Sequence, residues 1–191
     1  MSTTAVIEPA EDWPDIPERD GYEYVDGKWV RLAVGAGSTH VAYRLVGRVN
    51  RFAEPLSLGW ALAPETAFQI WPTHPRKYRK PDGSFLRGDP FPDGQVPEGF
   101  VHVVPALVIE VVSPRDVVEA LELKVVEYFE AGVALVWVLH PKTKSITVYR
   151  PDGSATRLTA AETLSGEDVL PGFRAPVGEL FDRRLLKRGA A

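Results

Sequence analysis

Cysteine is missing from this chain of 191 residues, which excludes a disulfide framework, a thiolate metal site and a cysteine nucleophile. Any bound metal must therefore be held by oxygen or imidazole, and His74, His102 and His140 show no metal-ligand spacing. Long apolar runs are missing too. None approaches the ~20 residues that span a bilayer, and the opening MSTTAVIEPAEDWPD has neither the basic nor the apolar region of a secretory leader. The expectation is a cytoplasmic protein without membrane contact. A surplus of positive charge is also absent. The 22 Lys and Arg against 26 Asp and Glu leave a net charge of −4, which weighs against a protein that binds polyanions through bulk charge. No internal repeat or low-complexity tract occurs.

What is present is an ordinary globular composition, 45% hydrophobic and 25% charged, at a length suited to one domain with a real core. Residues 1–20 mix prolines and acids without a period and read as a flexible arm. The domain occupies 21–182, and 183–191, with Arg183, Arg184, Lys187 and Arg188, reads as a basic tail. A second basic cluster, Arg76, Lys77, Arg79 and Lys80, stands just before Pro81-Asp82.

Along the domain, Asp26-Gly27 between the β-prone runs YEYV and KWVRL is a strong hairpin signal and makes Glu23 a strand residue. Ser38 can cap a helix whose apolar positions Val41, Leu45, Val49 and Phe52 recur at helical steps and end before Pro55. Leu58–Trp71 reads as a strand or bent hairpin arm broken at Pro64, and Asp82–Leu86 as a short strand. Residues 87–104, rich in proline and glycine, read as a surface loop or lid. The nearly continuous apolar run Ala106–Val112 marks a strand covered on both faces. Ser113-Pro114-Arg115-Asp116 then reads as a helix start, with the helix running to Ala131-Gly132 and a second buried strand at Val133–Leu139. Strand, helix and strand with short joints imply a crossover between neighbouring parallel strands. A hairpin about Pro151-Asp152-Gly153 and a short closing helix complete an α/β domain. Trp29, Trp60, Trp71 and Trp137 read as core or interface aromatics.

Glu110 is the one charge in the buried strand, and an ionised carboxylate there needs a metal, a cation or a proton to compensate it. A plain structural salt bridge and a functional site both meet that need. The following helix offers a partner: Val117, Leu121, Lys124, Tyr128 and Ala131 form one stripe on which Lys124 is the only charge. If that stripe faces the sheet, Lys124 sits over Glu110, unless it snorkels outward from the stripe's edge. Asp82 adds a second carboxylate at a strand start, although a Pro-Asp-Gly alone is more often a turn. Two carboxylates and an ammonium suit phosphodiester hydrolysis. Hard oxygen ligands hold Mg²⁺ or Mn²⁺, which acidifies a water and offsets phosphate charge, while a lysine stabilises the transition-state oxygens.

The segment Arg79-Lys80-Pro81-Asp82 with Phe85, then PALVIEVVSPRD (105–116) and LKVVEYFEAGVALVWVLHP (123–141), resembles the Uma-type family within the PD-(D/E)XK nuclease superfamily. YEYVDGKWV (22–30) and VLPGF (169–173) match it too, so the likeness covers roughly residues 20 to 181. It implies an α/β restriction-endonuclease-like core: a mixed central β-sheet flanked by helices, with extra N-terminal and C-terminal β-hairpins. It implies Asp82 and Glu110 as metal ligands with the backbone carbonyl of Val111 as a third. The superfamily's lysine, two residues after the glutamate, is Val112 here, and its cation looks relocated to Lys124 with Tyr128 one turn later. Glu23 matches an early acidic position and is either a metal or water ligand or an exposed strand acid. His40, near a helix start, either touches phosphate or acts as a base, or is simply solvated.

The expected activity is a Mg²⁺- or Mn²⁺-dependent endonuclease on DNA, with phosphate contacts from Arg76, Lys77, Arg79 and Lys80, and with homodimerisation suited to cutting two strands. The alternative is a catalytically inactive nuclease-fold dimer that binds nucleic acid or regulates, which the acidic charge and Val112 favour. A hydrolase for a small phosphorylated molecule is a third reading.

Overall fold

A computed structural model describes residues 16–33, 35–91, 95–114 and 116–182. The basic tail, and the arm as far as residue 15, lie outside the described residues.

The chain opens with an antiparallel hairpin of β1 (Tyr22–Val25) and β2 (Lys28–Arg31). Its Asp26-Gly27 turn takes positive φ at both residues, as a two-residue hairpin demands. Next come α1 (Ala36–Ala53), a 3₁₀ turn at Glu54–Leu56, β3 (Gly59–Leu62), β4 (Gly83–Arg87) and β5 (Leu107–Val111). They are followed by α2 (Val118–Glu130), β6 (Leu135–His140), β7 (Ser145–Tyr149) and β8 (Ala155–Leu158). The six strands β3 to β8 form one sheet in sequence order. Only β5 and β6 pair in parallel, joined by α2 as the crossover; the other neighbours are antiparallel. The expected mixed sheet is therefore present. The Pro151-Asp152-Gly153 hairpin joins this sheet as β7 and β8, and a separate small pair, β9 (Thr163–Ser165) with β10 (Arg174–Pro176), precedes α3 (Val177–Leu180).

Side-chain alternation along β5 divides the core in two. Leu107, Ile109 and Val111 point to the α1 side, where they pack with Val41, Leu45, Val49 and Trp137. Val108 points to the other face with Val136, Val138, and Val125 and Tyr128 of α2. Glu110, two residues after Val108, belongs to this second face.

Four expectations are corrected. Helix α1 starts at Ala36 with Gly35 as its N-cap, and Ser38 lies inside the first turn, its Oγ donating to the Gly35 carbonyl. Helix α2 starts at Val118, not Ser113, because the Asp116 carboxylate accepts from both the Ser113 N–H and its Oγ and closes a local turn first. Val117 of the predicted stripe is consequently exposed. Residues 87–104 are not a free lid: Phe91, Val101, Val103 and Val104 are buried against Phe68, Trp71 and Leu86. Leu58–Trp71 yields only the four-residue β3, since Pro64 lacks the N–H to continue a ladder, and Phe68 instead bridges to Arg79 and Val101.

Gly83 opens β4 directly after Asp82, and a Cβ there would stand 2.4 Å from Val46 Cγ2 of α1. Glycine thus lets α1 press against the strand at the point where Asp82 leaves it. Gly83→Ala is expected to cost about 1–3 kcal/mol in urea denaturation, through displacement of α1; unchanged stability would refute this tight packing.

Candidate active site

Register explains how Asp82 reaches the buried strand. The last β4–β5 pair is Gly83 opposite Ile109, so continuing it sets Asp82 opposite Glu110 and Pro81 opposite Val111. Pro81 has no N–H to give. The Val111 N–H instead donates to Asp82 Oδ2 at 2.7 Å. In a strand, a residue's N–H and C=O face the same neighbour, so the Val111 carbonyl also lies on the Asp82 side. The two acids stand at facing positions at one end of the neighbouring interior strands β4 and β5.

Lys124 and Tyr128, one helical turn apart on α2, descend onto the Glu110 face of the sheet. The Tyr128 hydroxyl donates to Glu110 Oε1 at 2.7 Å, and Lys124 Nζ lies 3.5 Å from the same oxygen. Lys124 does not belong to Glu110 alone, because its Nζ is closer to Glu23 Oε1, at 3.1 Å. Glu23 is wholly buried, not the exposed strand acid weighed from the sequence. Its Oε2 accepts from Arg79 Nη1 at 2.9 Å and its Oε1 from the Lys80 backbone N–H at 2.9 Å. Arg79 in turn pairs with Glu127 (2.6 Å), which also binds Lys77 (3.0 Å). The result is a chain of alternating sign from Lys77 through Glu127, Arg79, Glu23 and Lys124 to Glu110.

The basic cluster is therefore corrected in its role. Lys77, Arg79 and Lys80 are buried and bound to carboxylates, Lys80 to Glu18 at 2.9 Å and Glu65 at 3.3 Å, so their charge is already met within the protein. Arg76 alone of the four is exposed, its guanidinium 6.0 Å from the Tyr24 ring centre. His40 is exposed on α1. Sequence reasoning missed Glu127. The available signal was the alternation Lys77, Arg79 in extended chain, which aims both cations at one partner. It also undervalued Val25, an apolar residue on Glu23's own face of β1.

With Glu110 ionised, the six charges of the alternating chain cancel and Asp82 remains as an extra anion. Burial raises the Glu110 carboxyl to about 7; Asp82 and Glu23 push the same way, against Lys124 and the Tyr128 hydroxyl. Burial also raises Asp82, despite the Val111 N–H and Lys124. Glu23 goes the other way. Its burial is outweighed by Lys124, Arg79 and the Lys80 N–H, and it is held below the ordinary value. Burial works against the Lys124 ammonium too, yet Glu110 and Glu23 hold it above the usual lysine range, so it stays charged. Asp82, Glu110, Glu23, Lys124 and Asp116 line one cavity of about 370 Å³. Hydrogen bonds engage Oδ2 of Asp82 and Oε1 of Glu110. Among the described residues no cluster of three or more His, Asp and Glu forms a ready metal cage. Two raised acids with an uncompensated negative charge nevertheless fit a hard divalent cation that keeps several waters.

The sequence model of the Uma2 family, described as "Putative restriction endonuclease", matches residues 7–178. A solved structure of a "putative nuclease belonging to DUF820" from Anabaena variabilis superposes with a TM-score of 0.75 at 18% identity, covering 87% of this chain and 93% of that one. At that identity the likeness carries the fold alone. No curated protein matches.

Two predictions follow from the charge chain. Glu23→Gln, which leaves Arg79 and Lys124 short of a buried partner, should cost on the order of 3 kcal/mol in chemical denaturation. Glu179→Gln, at the exposed pair with Arg48, should cost about 0–1 kcal/mol; equal losses would refute the special standing of Glu23. In a chelator, the folded state holds a proton on Glu110 that the unfolded state releases near the ordinary value of 4.5. Stability should therefore rise as pH falls from about 8 to about 5, since Glu23 stays ionised there. A thermal-melt series on Glu110→Gln should show a flatter slope, and an unchanged slope would contradict the assignment.

Proposed function

The chain belongs to the Uma2 family, and on that footing we propose that it is a divalent-metal-dependent endonuclease that hydrolyses DNA phosphodiester bonds at Asp82, Glu110 and Lys124. One observation carries the reading: the buried Glu110, the half-buried Asp82 and the charged Lys124 converge on one cavity that is short of positive charge.

Mg²⁺ or Mn²⁺ held by Asp82 and Glu110, with the Val111 carbonyl as a third oxygen, would supply charge against the phosphate and acidify an attacking water. The chain's own residues do the rest. The Val111 N–H fixes the Asp82 carboxylate, and Tyr128 fixes that of Glu110. Lys124, steadied by Glu23 on one side and Glu110 on the other, directs its ammonium at the phosphate oxygens, where charge grows as the water oxygen bonds to phosphorus and the bond to the leaving sugar oxygen breaks. It supplies from the helix the cation that a lysine at position 112 would have supplied from the strand. Arg79 and Glu127 act one step back, holding Glu23 in place. Glu23 itself is a positioning residue for Lys124. Cleavage of both strands of a duplex would call for a homodimer, which analytical ultracentrifugation would register.

The sharing of Lys124 with Glu23 and the Val112 substitution favour a second reading, a nuclease-fold module that binds nucleic acid without cutting it. Calorimetric titration with Mg²⁺ and Mn²⁺ separates the two, because the binder needs no metal affinity at the acids. For the nuclease, Asp82→Ala, Glu110→Gln and Lys124→Met are each expected to lower DNA cleavage about 10²–10³-fold, with circular dichroism unchanged. Equal cleavage by all three and the parent would trace the activity to a contaminant.

A further inference from the structure

The cavity beside Asp82 and Glu110 is walled by the N-terminal hairpin and the start of α2. Val30, Leu32, Pro64, Val117 and Leu121 give its lining an apolar part beside the acids. At about 370 Å³ it lies at the low end of pockets that enclose a small molecule, roughly 300–1,000 Å³. A second hollow of about 650 Å³ shares Arg31, Leu32 and Ala33 with it and continues to Tyr22 and Asp20. The two thus adjoin across Arg31. That side chain is exposed and has no ion pair or hydrogen bond among the described residues. Beyond it Tyr22 lines the hollow, with the Arg19 guanidinium carbon 4.0 Å from the centre of its ring.

We infer that the groove takes a single strand of DNA, one unpaired nucleotide seated in the acidic cavity with its base on the apolar wall, its phosphate track guided by Arg31 and its neighbouring base stacked at Tyr22. This deepens the nuclease reading and rests on it for the bond that is cut. A duplex carries one charge per about 1.7 Å of axis and is held by many unpaired cations at once. Here Lys77, Arg79, Lys80 and Lys124 are all engaged by carboxylates, so these four leave no such row of free cations beside the acids. Recognition of a single strand needs less charge, because base stacking on aromatic and apolar surface and on arginine planes contributes much of the affinity. Asp20 keeps the outer hollow from being strongly basic, in agreement with stacking as the main attraction.

The test is fluorescence anisotropy with a labelled DNA single strand and with the same strand annealed to its complement, in Mg²⁺ on ice, with cleavage of both read on a gel. The single strand should bind at least about tenfold more tightly. Arg31→Ala, a change at an exposed side chain, should weaken that binding about fivefold or more and reduce the salt slope by about 0.7. Duplex bound as well as the single strand, or Arg31→Ala without effect, overturns the inference, as does binding of neither. Single-strand binding that depends on Arg31 without any cleavage upholds the groove and removes the nuclease reading. Cleavage of duplex alone does the reverse.

Discussion

The buried carboxylate of Glu23, held between Arg79 and Lys124, is the contact on which the rest of the site depends. An isolated ion at that depth would be too costly to keep charged, and so would each cation facing it. Alternation resolves the problem for all of them together. Because the members come from β1, the segment before β4, β5 and α2, the chain of charges also sets how the hairpin, the sheet and the crossover helix sit against one another. Its energetic weight lies less in net stabilisation than in the penalty for any arrangement that separates one member from its partners.

The same alternation settles the electrostatics of the cavity. Every basic residue near the acids that is buried is already satisfied by a carboxylate, so the cavity's unmet demand is for positive charge, at Asp82 and Glu110. A chain with more acids than bases can thereby present a site suited to a cation without a basic surface around it. The helix position of Lys124 follows from packing geometry. A strand residue two after Glu110 would share its face, and α2 covers that same face, so a side chain descending from the helix reaches the space that one rising from the strand would have filled.

Much of this was legible beforehand, and the failures have physical causes. The apolar run around Glu110 announced a strand covered on both faces, and the helical stripe bearing Lys124 and Tyr128 announced what covers one of them. Both readings use short-range periodicity, which the chain cannot hide. The starts of α1 and α2 were misplaced because Ser38 and Ser113 resemble caps. In the folded chain, a side-chain bond to Gly35 in one case and the local closure by Asp116 in the other decided where the helix begins. The proline-rich stretch 87–104 looked like surface until Val101, Val103 and Val104 proved to cover the second face of the sheet. The basic cluster looked available because sequence shows a cation and not its partner, here Glu127, fifty residues away from Lys77.

The sequence by itself determined the α/β class, the strand and helix that carry Glu110 and Lys124, and the need for something to compensate a carboxylate among aliphatic neighbours. These are consequences of periodicity and desolvation, which act within a few residues. Only the tertiary structure decided that Glu23 is the hub, that the basic residues before Asp82 are already engaged, and that Asp82 leans on the Val111 N–H. Those facts rest on which distant segments meet, and charges separated by a hundred residues acquire their meaning only once the fold has brought them within a few ångströms.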